Sequence, residues 1–267
     1  MLAEDFEFDG EYLKDWGYMI LYTDDNGGFN NIDSDSQLSF NSVGLQNGKK
    51  FELSTAVYED CIQLTFQIGK FSCRSNEIEP ISLAESRAIK RWLNRSSFKK
   101  FKLIQPGWAD IYMEGSFNVS NIEFNGQLYF LELTFMSNRP FALHEPITYS
   151  FDLGGSSDQY RFFDISDEIG YIYPDVKITC KKAGELRLTN SNENRTTIIK
   201  NCTANEIITF TPELIMSTSS PTHKIQDDFN YNFFRISNTY SDRANIITSS
   251  LPVEIEITYS PYVKAVS

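Results

Sequence analysis

Acidic side chains are the most abundant chemically active groups in the chain, with 36 Asp and Glu against 24 Lys and Arg. The tightest carboxylate group is Asp164, Asp167 and Glu168 in Asp-Ile-Ser-Asp-Glu. Two carboxyl groups flanking a glycosidic bond could serve as acid and base in hydrolysis. So acidic a chain is bound to produce local clusters, however, and a loop of solvated charges is the expectation. Asp24-Asp25-Asn26-Gly27 and Asp33-Ser34-Asp35 offer the oxygen ligands that calcium prefers, yet neither continues to the bidentate Glu that closes a 12-residue calcium loop. Turns are the better reading of both.

Cys61, Cys73, Cys180 and Cys202 lie 12, 107 and 22 residues apart, without a CxxC pair, and only His144 and His223 could join them as ligands. Zinc is therefore not expected, and reduced thiols inside strands are. No Gly-x-Ser-x-Gly elbow is present, His144 lies beside Pro146, and His223 lies in a polar loop beside Pro221, so both histidines read as surface residues and not as catalytic bases. Asn26-Gly27-Gly28 and Gly154-Gly155 lack the Lys-Ser/Thr or the strand-to-helix setting of a phosphate cradle. Trp92 and Trp108 could stack on sugars, but Trp92 falls on the apolar face of a helical pattern, and Trp108 opens a strand after the turn Gln105-Pro106-Gly107. These patterns assign no catalytic, cofactor-binding or metal-binding residue. A protein that is not an enzyme and needs no cofactor is expected.

The 267 residues allow one large or two ordinary domains. With 21 Phe, 14 Tyr and 3 Trp the composition favours strands over helical bundles. A net charge of −12 argues against a grip on nucleic acid backbones or anionic lipid. No apolar run reaches the roughly 18 residues of a spanning helix, and Met1-Leu2-Ala3-Glu4-Asp5 is acidic where an export signal needs a basic stretch, so assembly in a cytoplasm without a membrane partner is expected.

Strand and turn signals alternate from the start. Tyr18 to Tyr22, Leu38 to Leu45 and the pair Phe51 and Leu53 are divided by Asp24 to Gly28 and Asn47-Gly48, while Ile62, Leu64, Phe66 and Ile68 fall two apart. A helix begins at Ser82, where Ser-Leu-Ala-Glu makes a capping box with Glu85. Ala88, Ile89, Trp92 and Leu93 line its apolar face, and Arg87, Lys90, Arg91 and Arg95 occupy the rest as a solvated or subunit-facing surface. Strands resume through Phe101 and Leu103, then Ile111, Met113, Phe117 and Val119; Asn125-Gly126 predicts a tight hairpin into Tyr129, Leu131, Leu133 and Phe135. Asn138-Arg139-Pro140 and Gly154-Gly155-Ser156-Ser157 bracket a domain boundary near residue 145. Beyond it come Val176 and Ile178, Leu186 and Leu188, Ile207 with Phe210, Phe233-Phe234 with Ile236, and the strict alternation Val253, Ile255, Ile257, Tyr259. Short strands without helical stretches predict a β-sandwich.

The order of these elements resembles the distal tail protein family of long-tailed phages (siphophages). The resemblance is carried by the helix Arg87-Ala88-Ile89-Lys90-Arg91-Trp92-Leu93, the strand from Asp110 to Gly115 with Tyr112, and the closing strand Leu133 to Phe141 with its Asn138-Arg139-Pro140. Tyr173-Pro174-Asp175-Val176, Phe233-Phe234 and Ser260-Pro261-Tyr262 carry it through the second half. Asn238 to Asp242 departs from it, lacking the family's Gly in that loop.

The resemblance implies a mainly β protein: a ring-forming, β-rich belt domain with one α-helix over residues 1–145, then a galectin-like β-sandwich over 146–267. It also implies a structural hub of the virion tail tip, a homo-hexamer joining the major tail tube protein to a tail-tip or tail-associated lysin protein. Receptor-binding or baseplate proteins would ride on the second domain, and DNA would pass through a central channel without specific binding. Acidic walls would let DNA pass without the counterion-release attraction that basic walls create. Two rivals remain at this stage, a carbohydrate-binding β-sandwich protein for host attachment and a hydrolase of the cell wall.

Overall fold

The computed structural model describes residues 3–21, 29–33, 38–43, 53–58, 61–71, 78–193, 195–239 and 242–264. The chain is mainly β, and it divides into two compact units. One runs to His144 and resumes at Val263; the other spans Glu145–Tyr262. The chain thus passes between the units twice, where a single division near residue 145 passes once.

The strands of the first unit are β1 (Asp5–Phe8), β2 (Glu11–Tyr12), β3 (Met19–Leu21), β4 (Phe29–Asp33), β5 (Leu38–Val43), β6 (Leu53–Tyr58), β7 (Gln63–Phe71), β8 (Ile78–Glu79), β9 (Lys99–Ile104), β10 (Ile111–Phe124), β11 (Gln127–Ser137) and β12 (Ala142–His144). They form a sheet in the order β2-β1-β9-β10-β11-β7-β3, with β4 and β8 also paired to β7 and β12 paired to β10. β5 and β6 stand apart as a two-stranded sheet. The period-2 pattern sets the buried face: Ile62, Leu64, Phe66 and Ile68 on and beside β7 meet Leu131, Leu133 and Phe135 of β11, all at 2% exposure or less. Asn125 and Gly126 both take positive φ, 50° and 76°, as the tight turn between β10 and β11 requires.

Across this face lies helix α1 (Leu83–Leu93). Ser82 accepts a hydrogen bond from the Glu85 backbone N–H while the Glu85 carboxylate accepts one from the Ser82 N–H, the capping box predicted above. Glu85 also pairs with Lys70 of β7, and this pairing together with the Ser82 bonds pulls its carboxyl down to about 2. Trp92 is buried, its ring stacked 5.7 Å from Phe6 and 5.1 Å from Trp16, with its indole N–H donating to the Phe8 carbonyl at 3.1 Å. Phe6, Phe66, Phe101, Phe117 and Phe135 complete an aromatic cluster.

Gly115 makes this packing possible. It is a buried position on the core side of β10, and a Cβ there would fall well inside contact with the Met136 carbonyl and the Phe135 ring. Gly115→Ala is therefore expected to destabilise the first unit by about 1–3 kcal/mol through overpacking, read as a lowered denaturant midpoint; an unchanged midpoint would show that Phe135 can move aside.

The second unit is a sandwich. Its strands are β13 (Ile147–Leu153), β14 (Gln159–Phe163), β15 (Tyr171–Ile172), β16 (Asp175–Cys180), β17 (Gly184–Asn190), β18 (Arg195–Cys202), β19 (Ile207–Phe210), β20 (Met216–Thr218), β21 (Ile236–Ser237), β22 (Ala244–Ser249) and β23 (Val253–Tyr259); β24 (Tyr262–Val263) then pairs with β12 in the first sheet. A five-stranded sheet β13-β23-β16-β19-β20 and a four-stranded sheet β14-β22-β17-β18 share one apolar core, and β15 pairs with β21. Along β23, Val253, Ile255, Ile257 and Tyr259 are buried and Glu254 and Glu256 exposed, as the alternation requires. Two details differ from the sequence-based expectation. A short helix, α2 (Ile225–Asp228), interrupts a stretch read as helix-free, and the core-facing set at β19 is Glu206, Ile208 and Phe210, not Ile207 with Phe210.

Candidate functional site

The Asp164, Asp167 and Glu168 segment follows β14 and does not form an open pair of carboxyl groups. Asp164 is buried, and its Oδ1 accepts from the Ser166 N–H at 3.0 Å and the Ser166 hydroxyl at 2.8 Å, which fixes a turn. The Asp167 N–H donates to the Tyr262 carbonyl, and the Glu168 carbonyl accepts from Asn238 Nδ2 at 2.7 Å. These residues shape a loop. Asp24 to Gly27, Ser34, Asp35 and Cys73 lie outside the described residues, and Asp33 ends β4. Among the described residues no group of three or more His, Cys, Asp or Glu could hold a metal ion.

His144 ends β12, opposite Ile111. His223 is not a surface residue as its polar, proline-flanked setting suggests. Its side chain is 2% exposed, and that of its partner Glu206 is 0%. Glu206 accepts from the Thr203 N–H at 2.7 Å, the Thr203 hydroxyl at 3.0 Å and the Thr218 hydroxyl at 2.5 Å, and its Oε1 lies 2.5 Å from His223 Nδ1. Asp228 of α2 approaches the other ring nitrogen at 3.3 Å. Burial works to raise the Glu206 carboxyl, and the Thr218, Thr203 and His223 hydrogen bonds more than offset it, leaving it below the usual 4.5. Burial likewise works to lower His223, but the Glu206 bond and charge overcome it and lift the imidazole above 6.5. An acid and a base this enclosed do not meet a substrate; they tie β19, β20 and α2 together.

Trp92 is a core residue, and Trp108 sits in the turn before β10, half-packed on the first core, with its N–H bonded to the Gln105 carbonyl at 3.2 Å. The basic side chains of α1 are mostly solvated: Arg87 and Arg91 are exposed, while Lys90 reaches Asn121 Oδ1 at 2.8 Å and Arg95 Nε caps the Trp92 carbonyl at 3.0 Å. Tyr112, beneath the Lys100 ammonium at 4.4 Å, is nearly buried.

Two groups stand out among the exposed apolar residues. In the first unit Leu38 and Phe40 of β5 share a face of the two-stranded sheet with Ala56 and Tyr58 of β6, and Phe40 is 70% exposed. In the second, Phe163, Ile165, Ile169 and Tyr171 are exposed within nine residues, with the Arg235 guanidinium 4.0 Å over the Tyr171 ring. Such patches mark contact surfaces more often than chemistry.

Residues 1–139 match a family described as phage tail protein N-terminal domain, and residues 141–259 match its companion, described as phage tail C-terminal domain. The chain belongs to this phage tail protein family. No curated protein matches this tail protein. Among solved structures it is similar to the SPP1 Dit (gp 19.1) protein, described as a paradigm of the hub adsorption apparatus in phages that infect Gram-positive bacteria. The TM-score is 0.64 at 11% identity over 96% of this chain and 98% of that one. At such low identity the tail protein shares a fold, and it does so through both units. This is the Dit-like fold expected from the order of elements.

Proposed function

We propose that the tail protein is the structural hub of a long-tailed phage tail tip and not an enzyme. In this reading the first unit forms a homo-hexameric ring beneath the tail tube, the ring seats a tail-tip or tail-associated lysin protein, and the sandwich carries receptor-binding or baseplate proteins. DNA passes through the central channel without being held. The observation that carries the proposal is the likeness of fold to a hub protein across nearly the whole of both chains, joined to the phage tail family match in each half.

The surfaces suit such a role. A two-stranded sheet is marginal on its own, and the β5–β6 pair presents Phe40 at 70% exposure beside strand edges that another chain can use. Phe40→Asp is expected to shift the purified protein from ring to monomer without lowering the Tm of the second unit, measured by sedimentation velocity and calorimetry. A variant that still assembles as the parent does would remove this sheet from the ring contact. With a net charge of −12 the hub can stand close to DNA without binding it.

The sugar-binding rival finds little support in the sandwich. A groove of about 190 Å³ runs over the outer face of β16, β19 and β23, where Asp175, Lys177, Thr209 and Glu256 line it. Its one aromatic residue, Phe210, is buried in the core and offers no ring face for stacking on a sugar.

A further inference from the structure

Cys180 and Cys202 are far apart in the sequence but neighbours in the sandwich. Each is the last residue of its strand, Cys180 on β16 of the five-stranded sheet and Cys202 on β18 of the four-stranded sheet. Gly184, four residues after Cys180, pairs directly with Cys202. From the other side the Cys180 N–H donates to the Glu206 carbonyl at 2.9 Å, and its carbonyl accepts from the Asn205 N–H at 2.7 Å. Cys180 is thus held by backbone bonds to the segment just after Cys202 and by a short turn to the residue opposite it. Both thiols are free, at 0% and 2% exposure, and both belong to the same core.

We propose that Cys180 and Cys202 are a modification site, a thiol pair that closes into a disulfide between the two sheets of the sandwich when the protein leaves a reducing compartment. The oxidant is a small peroxide. One of the two thiolates attacks a peroxide oxygen, the O–O bond breaks, and a sulfenic acid and one water result once the leaving hydroxide takes up the thiol proton. The second sulfur then attacks the first, its proton joins the departing hydroxyl, and a second water leaves as the S–S bond forms. Two thiols have lost two hydrogens and two electrons, and one peroxide has become two waters.

Contact with Cys202 and burial push the Cys180 thiol up, and the Cys202 thiol donates to the Ile199 carbonyl at 3.5 Å, so both sulfurs rest as thiols inside the sandwich. Cys61, which is exposed and in the other unit, is outside this pair. The proposal does not depend on the hub role, because it concerns the interior of the sandwich alone.

The test uses the full chain. Purified under reductant, then treated with hydrogen peroxide while folded and digested without reduction, it is expected to yield a linked peptide pair containing Cys180 and Cys202. The disulfide closes a loop of about 22 residues, so oxidation is expected to raise the Tm of the second unit on the order of 10 °C. Reductant should reverse the rise, and Cys180→Ser should abolish it. Recovery of both cysteines unlinked, linkage of either to Cys61 or Cys73, or a crosslink that leaves the Tm unchanged or lower would each overturn the proposal. The peptide map reads the native sequence, so the outcome stands even if the serine variant fails to fold.

Discussion

Phe6→Ala is expected to destabilise the first unit by about 3–5 kcal/mol. Phe6 is fully buried on β1, and its ring meets Phe66, Trp92, Phe101 and Phe117 with centroids 5.6–5.7 Å away. Truncation removes a large apolar side chain and breaks four ring contacts at once. The cavity left behind is ringed by side chains of β7, α1, β9 and β10, each pinned by its own strand or helix, so collapse into it is limited. Urea unfolding followed by tryptophan fluorescence measures the loss, since Trp16, Trp92 and Trp108 all lie in the first unit. A cost below about 1 kcal/mol would mean that the cluster closes around the gap, contrary to the packing described.

Glu206→Ala should have a comparable effect on the second unit, again about 3–5 kcal/mol, by a different route. Removing the carboxylate leaves His223 buried with only Asp228 at 3.3 Å, and it strips the acceptor from the Thr203 N–H and from the hydroxyls of Thr203 and Thr218. The penalty is that of a buried charge and several donors left unmatched, which exceeds the net worth of the pair itself. The pair also sets a pH dependence. His223 is raised above 6.5 in the folded state, so its contribution is fully present below that value and is lost as pH rises through its folded pKa. Glu206 is lowered below 4.5, so its contribution is present above 4.5 and is lost as pH falls through the lowered value. The greatest stabilisation therefore falls between about 4.5 and 6.5. The Tm advantage of the parent over His223→Gln should shrink as pH is raised from 6 to 9; an advantage constant over that range would show that folding does not shift the His223 pKa.

What could be read in the sequence depended on how local the determining contacts are. The Ser82 capping box, the Asn125-Gly126 turn and the alternation along β23 are each settled within a few residues, and the structure reproduces them. The surroundings of His223 could not be read that way. Its partner lies 17 residues earlier, just before β19, and a Pro-Thr-His-Lys stretch has the polarity of a loop whether or not the chain folds over it. One signal was available. Alternation through Ile208 and Phe210 puts Glu206 on the core side, and a carboxylate forced inward needs a cation or several donors nearby.

Gly115 was similarly silent, because its requirement comes from Phe135 across a strand pair and not from its own turn propensity. The acid cluster at Asp164 looked capable of chemistry for the opposite reason: composition made it conspicuous, while its Ser166 hydrogen bonds, two residues away, make it a turn. The aromatic residues are spent in large part on the two cores, while Phe40, Phe98, Phe124, Tyr231 and the Phe163 to Tyr171 segment stay on the surface. The family resemblance was legible through element order over both halves even though identity to the solved hub protein is only 11%. Order and burial pattern can persist after individual contacts have been replaced.

The hub role itself is tested most directly by imaging the purified full-length protein by cryo-electron microscopy alongside a mass measurement in solution. A six-fold ring of the first units is expected, around an open channel whose wall is richer in Asp and Glu than in Lys and Arg. A protein that stays monomeric at high concentration and in the presence of tail tubes, or a ring whose channel is lined by Lys and Arg, would contradict it.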